Sequence, residues 1–450
     1  MPNVQNSTSE TPSEKQPIAS AGYLRHRLKY DKSSKMSDDA HAESTAMKVQ
    51  FNDTSSSEDA PTANGNKRVA DDEPVYSESD VAELNRQLID LFYVFVSATA
   101  GFVFGFAIEK GRVYEPRFIR QQMVFEKFLM LKMFLSAMIA GMFVLALLHL
   151  TPIRAIQWQI TNTVKGTMSI MDGKNIISLI VGPFLLGIGM TFSGCTLVGA
   201  IFGNLIYGLW HDRLYAKVFP KNKLALPFAR LPVRKPYMYV VWTLPIIVIV
   251  GLGLVGLEHL VPWKRELKYD SNDVQVVSNN ASVSADWLSM HAWPPLASGA
   301  LIGALQLPLV LFGHTLSGSG AFNTICAQLM LTEGLRKKFP YLGNKRKFTV
   351  GAWWQVLFVL GSTVGGLISS LASSSWGSVP GVPVHYALIG GALMLFGARI
   401  ACGCTSGHGL SGSSLLFLGS FIAVPAMFAG GIVTAFIMQA TGQLYAMVPS

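Results

Sequence analysis

The chain has 450 residues, half of them hydrophobic and only 14% charged, with a formal net charge of +9 and a mean hydropathy of +0.36. That balance excludes a largely disordered chain and argues against a soluble domain; it reads as an all-α, multi-pass membrane protein. The four cysteines, Cys195, Cys326, Cys402 and Cys404, all lie in apolar segments, which argues against an extracellular disulfide framework.

Residues 1–86 form a polar N-terminal tail with ten basic and fifteen acidic residues, a net of −5, against +14 for residues 87–450. Such a composition predicts a disordered, cytosolic tail ahead of a transmembrane domain over 87–450. The tail lacks the apolar run of a secretory signal. Its basic patch, Arg25-His26-Arg27-Leu28-Lys29, reads as a solvated charge run.

Apolar stretches follow at 237–257 and 350–372, which carry no charge, and at 88–108 and 131–151, which are nearly as apolar. Each suffices for a span of about 20 residues. Three more stretches, 174–210, 293–331 and 386–438, are broken near their middles by glycine-rich runs. Broken backbone at membrane depth is tolerated only where protein or a cavity surrounds it. Glycine-interrupted spans in corresponding positions point to a transporter's binding site.

The loops carry an orientation. Residues 211–236 hold seven Lys/Arg against one Asp, and 332–348 hold six against one Glu. Residues 263–292 are nearly balanced and include a candidate glycosylation site, Asn280-Ala281-Ser282. The two basic loops are expected on the cytosolic side and the third outside. The interval 293–331 then makes one discontinuous crossing. An internal echo predicts two pseudo-repeats: Gly101-Phe-Val-Phe-Gly105 opens one half, Gly299-Ala-Leu-Ile-Gly303 the other, and each half ends in Gly-Cys-Thr.

Those motifs are Gly194-Cys195-Thr196 and Gly403-Cys404-Thr405, the second continuing as Ser406-Gly407-His408-Gly409. Half-helices meeting at such breaks aim free backbone N–H groups at one point, which favours an anion. Thr196, Thr405, Ser406 and His408 add side-chain donors. A soft thiol suits a sulfur-bearing anion that must be bound briefly and released. Arg399, inside an apolar segment, is a functional-site candidate by default. His314, in His-Thr-Leu-Ser-Gly, parallels His408 in His-Gly-Leu-Ser-Gly; for each, a structural role competes with substrate contact. No zinc or other metal pattern and no Walker motif is present, so no metal, cofactor, nucleotide or nucleic-acid partner is expected.

Phe396-Gly-Ala-Arg-Ile-Ala-Cys-Gly-Cys404-Thr-Ser-Gly-His-Gly-Leu-Ser-Gly412 resembles the signature of the YeeE/YedE family of sulfur-compound transporters. Leu186-Gly-Ile-Gly-Met-Thr-Phe-Ser-Gly-Cys-Thr196 and Gly101-Phe-Val-Phe-Gly105-Phe-Ala-Ile-Glu-Lys110 are similar to two further family segments. The resemblance spans about residues 88–440. It implies an hourglass of short half-membrane helices meeting at a central constriction; the plasma membrane is the expected location. It also implies uptake of thiosulfate or a related sulfur or selenium species, relayed by S–H and backbone N–H donors, and for bacterial relatives a small sulfur-carrier protein. Cys195 and Cys404 match the central and C-terminal thiols of that relay. The family's third cysteine has no counterpart; Gly111-Arg112-Val113-Tyr114 stands where it is expected, with Tyr114 as a substitute O–H donor. A channel for another small anion or an uncharged solute, and a sulfurtransferase with Cys404 as nucleophile, are the competing readings.

Overall fold

The computed structural model describes residues 78–171, 175–192, 197–217, 233, 236–268, 287–346, 350–377 and 379–446. The tail through residue 77, the Asn280 site, and Gly194, Cys195 and Thr196 lie outside the described residues. Every regular element among the described residues is helical. Helix α1 (Glu78–Lys110) is followed by the short α2 (Pro116–Met123), α3 (Leu129–Leu150), α4 (Arg154–Met171), α5 (Ile176–Thr191) and α6 (Leu197–Lys217). Then come α7 (Pro236–Leu260), α8 (Trp263–Lys268), α9 (Pro295–Ala304), α10 (Gln306–Leu311), α11 (Ser319–Gln328), α12 (Glu333–Lys338) and α13 (Pro340–Gly343). The chain closes with α14 (Val350–Ala372), α15 (Val384–Ala401), a π-helical segment (Thr405–Gly412) and α16 (Leu418–Ala440).

Among the described residues, six helices are long and apolar enough to cross a bilayer: α3, α7, α15 and α16 in full, and α1 and α14 over Gln87–Lys110 and Gly351–Ala372. The chain is an integral, multi-pass membrane protein. Its outward faces fit that solvent: α7 exposes Val241, Leu244, Ile249 and Leu252 and packs chiefly along α3. Helix α1 starts at Glu78, so its first turns extend back into the polar stretch at the end of the tail.

Small residues set the helix pairs, since close approach and dispersion replace hydrophobic drive in lipid. Helices α1 and α14 lie backbone to backbone: a Cβ on Gly101 would stand 2.0 Å from the Phe358 carbonyl oxygen. Helix α5 sits between α15 and α16, and a Cβ on Gly187 would come within 1.9 Å of the Met427 carbonyl. Asn175 caps α5 by accepting from the Ile177 N–H at 2.9 Å.

The two ends of the bundle differ. At one end, α6 meets α13, with Tyr207 and His211 against Tyr341, beside the basic residues Arg336, Lys337 and Lys338. At the other, buried cations tie loops to helix ends. Lys110 Nζ donates to the Leu288 and Met290 carbonyls at 2.9 and 2.8 Å. Arg120 donates to the Thr191, Leu444 and Ala446 carbonyls, each at 3.1 Å. Lys132 pairs with Glu258 at 3.0 Å and Glu266 at 2.9 Å. The basic end is the one that the positive-inside rule expects on the cytosolic side.

Candidate functional site

Helix α15 stops because Cys402 adopts the left-handed conformation, φ 61°, and Gly403 N–H turns back to the Ala398 carbonyl at 3.0 Å. That is a helix C-cap made by a residue other than glycine. A Cβ on Gly403 would lie 2.6 Å from the His408 ring, so glycine is required there for close packing. Cys404 is extended, φ −96° and ψ −175°, and the wide π-helical segment follows. Serines satisfy carbonyls along this break: Ser413 Oγ donates to His408 O at 3.1 Å and Ser414 Oγ to Leu410 O at 2.6 Å. Buried backbone acceptors need such partners.

His408 is 2% exposed and braces the break from behind. Its Nε2 lies 2.9 Å from the Ala401 carbonyl and its Nδ1 3.2 Å from Ser420 Oγ. A carbonyl can only accept, so Nε2 carries the proton and Nδ1 accepts from the serine. The histidine thereby joins the end of α15 to the start of α16 and lines neither of the cavities described below.

A second broken segment locks onto the first. Residues 312–318 connect α10 to α11, and Leu316 N–H donates to Ser411 Oγ at 2.8 Å. Gln306 Nε2 donates to the Leu410 carbonyl and Ser414 Oγ, both at 3.1 Å. Ser317 Oγ is 3.7 Å from Cys404 Sγ, and Ser406 Oγ is 3.1 Å from it. The Ser319 hydroxyl and the Gly407 N–H also face this sulfur. Arg399 Nη2 donates to Ser319 Oγ at 2.6 Å, while its buried Nε has no partner among the described residues.

Two cavities adjoin this cluster. One, of about 260 Å³, is lined by Cys404, Ser319, Ser362, Thr363, Thr405 and Ser406, among others. The other, of about 230 Å³, is lined by methionines and aromatic rings, including Met123, Met133, Phe134 and Met427. Phe104, Thr405 and Ser406 line both, so they form the partition. The first opens beside α11, which runs toward the basic end; the second reaches Val113 and Ile119 at the opposite end.

The structure therefore brings together Gly403, Cys404, Thr405, Ser406 and, one hydroxyl away, Arg399. It does not bring in Tyr114, whose hydroxyl accepts from Arg112 Nη1 at 3.2 Å on the rim. Burial pushes the Tyr114 phenol up to about 12, so it stays protonated. His314 is also apart, stacked on Trp354 at 4.1 Å and 12°. The described flank of the first cysteine motif, Phe192, stacks on Tyr386 at the start of α15, whereas Cys404 follows the end of that helix. An 18-residue helix is about 27 Å long.

Sequence reasoning missed Ser317, Ser319 and Phe104. The run Ser317-Gly318-Ser319-Gly320 was visible as a break, and its alternating serines were the available signal. Phe104, inside an apolar span, carried none.

Comparison with known proteins gives this geometry a context. The pattern of the family described as Sulphur transport matches residues 110–433. The thiosulfate transporter TsuA of Spirochaeta thermophila is 25% identical over 374 residues, 77% of this chain and 99% of that protein. A probable transporter of Xylella fastidiosa is 26% identical over 147 residues, 32% of this chain and 94% of its own length. With that match covering most of its membrane-spanning part, the chain belongs to the sulphur transport family.

Proposed function

We propose that the protein carries thiosulfate, or a closely related sulfur-terminated anion, across the membrane past Cys404. The observation that supports this most is the ring of polar groups around one thiol in the wall of the inner cavity, next to the partition. Ser317, Ser319, Ser406 and the Gly407 N–H all address Cys404 Sγ. Hydroxyls and a thiol can each donate or accept, so this cluster can offer O–H, N–H and S–H groups to an anion at the cavity wall. The likeness to a thiosulfate transporter supports the same substrate.

Charge explains the direction of preference. An anion inside the bilayer loses hydration that must be replaced by fixed donors. Hydrogen bonds to a charged group are worth about 1.5–3 kcal/mol each. Arg399, with a spare Nε, supplies a positive charge beside them. The net of +14 over residues 87–450 adds a long-range bias toward anions.

In this reading the two halves are pseudo-repeats that form an hourglass, with the break at 402–412 at its waist. Cys195 and Cys404 serve in it as the central and C-terminal thiols of the relay. Thr196 and Thr405 flank these thiols as further donors. The protein moves its substrate unchanged rather than catalysing a reaction on it. The polar N-terminal region, residues 1–86, lies on the cytosolic side in this reading.

Uptake of radiolabelled thiosulfate into proteoliposomes, with sulfate as the control anion, tests the proposal. Saturable uptake of thiosulfate well above sulfate is the expected result. Equal uptake in protein-free vesicles sinks it.

A further inference from the structure

We propose that Phe104 is the gate of this path and its specificity-determining residue. It closes the partition between the cavities and compels an anion to shed water before it reaches Cys404. The inference rests on the transport reading above. Its basis is the composition of the two cavities. The outer one presents five thioethers, from Met123, Met130, Met133, Met190 and Met427, and no charged residue among the described ones. The inner one presents hydroxyls and the Cys404 thiol. Apart from Thr405 and Ser406, both held in the π-helical segment, Phe104 alone of the described residues belongs to both linings.

The phenylalanine is mounted on a fixed backbone. Gly101 and Gly105 press α1 against α14, where a Cβ on either would stand 2.0 or 1.9 Å from a carbonyl oxygen of Phe358 or Ser362. The backbone cannot retreat, so opening falls to the ring, which leans on Phe358 at 5.3 Å and 46°. Methionine side chains are flexible and polarisable, and the adjacent cavity can accept a displaced ring. Hydrophobic constrictions gate by excluding water. A compact, strongly hydrated anion such as sulfate loses more in a thioether-lined chamber than an anion with a large, soft terminal sulfur.

The test reads accessibility and selectivity separately. A membrane-impermeant, sulfonate-bearing methanethiosulfonate reagent is applied to the full chain in vesicles, from the face opposite the basic loops. The adduct on Cys404 is quantified by peptide mass spectrometry for the parent, Phe104→Ala and Phe104→Trp. The expected order is Ala fastest, by about tenfold over the parent, corresponding to a barrier lowered by about 1.4 kcal/mol, and Trp slowest. Phe104→Ala is also expected to admit sulfate while still carrying thiosulfate. Equal labelling rates in all three proteins, or sulfate exclusion by Phe104→Ala as strict as in the parent, overturns the gate. If the Ala variant is not recovered folded, Phe104→Leu takes its place against Phe104→Trp with the same expected order. Labelling that follows side-chain size in a parent without thiosulfate uptake would overturn the transport reading and keep the gate.

Discussion

Arg399 donates to Ser319 Oγ across 2.6 Å, and that same serine hydroxyl faces Cys404 Sγ. The guanidinium therefore reaches the thiol through a single hydroxyl, with its own charge still open on the Nε side. An arginine placed this way polarises the serine and offers charge to whatever approaches the sulfur.

Replacing Arg399 separates charge from shape. Arg399→Gln is expected to lower thiosulfate uptake about tenfold or more, since one charge-assisted hydrogen bond is worth about 1.5–3 kcal/mol. Arg399→Lys keeps the charge but not the planar fork, and is expected to fall between the two. Initial uptake rates at several substrate concentrations check this. A Gln variant as fast as the parent would remove Arg399 from the path.

Cys404 and Cys326 make a matched pair of thiol substitutions. Cys404→Ala is expected to fold normally, because the side chain is half-buried at a cavity wall, and to lose most uptake. Cys404→Ser keeps a donor of the wrong softness and is expected to retain a small fraction. Cys326 is fully buried and faces the Ile201 carbonyl at 3.6 Å, away from both cavities. Cys326→Ala is therefore expected to keep full uptake with slightly lower thermal stability. Undiminished transport by Cys404→Ala would end the relay mechanism even with the substrate correct.

The spans were legible because length and hydropathy report on lipid, and lipid contact is a property of the whole helix. The stretch 237–257 became α7 over Pro236–Leu260, and 350–372 became α14 with the same bounds. The break around Cys404 was legible for the opposite reason: a run of glycines and hydroxyls is costly anywhere in hydrocarbon except at a cavity. What the sequence could not convey is which break meets which. The segment facing Cys404 is 312–318, carrying Ser317, and tertiary packing rather than local pattern pairs them. Phe104 was hidden because an apolar residue within an apolar span looks the same whether it faces lipid, a neighbour or a path.

The rim yields a pH prediction. Tyr445 donates to Glu126 Oε1 at 2.6 Å, and its phenol is pushed up to about 12 by burial first and by that carboxylate second. A phenol that ionises later in the folded state than in the unfolded chain stabilises the fold below its unfolded pKa of about 10. That contribution is lost as the pH climbs from about 10 through about 12. Tyr445 is exposed, so the effect is small and screened. Tyr445→Phe is expected to show a shallower loss of thermal stability between those pH values than the parent. Parallel melting curves for both proteins across that range would contradict the assignment.

Glycine substitutions distinguish packing from lipid exposure within one chain. Gly403→Ala drives a methyl to 2.6 Å from the His408 ring, and that ring is held by Ala401 O on one side and Ser420 on the other. The ring cannot give way without breaking one of these bonds. Overpacking of this kind costs about 1–3 kcal/mol, and the break at Cys404 is expected to distort with it, so uptake falls together with stability. A methyl added at Gly251 or Gly256 on α7 would meet nothing within 4 Å among the described residues, because that face looks outward. Alanine at either site adds helix propensity of up to about 1 kcal/mol and removes no contact. Thermal unfolding in detergent is therefore expected to move in opposite directions for the two classes, with uptake lost only for Gly403→Ala. A Gly403→Ala protein that melts and transports like the parent would mean that the histidine brace does not hold the break at Cys404 in place.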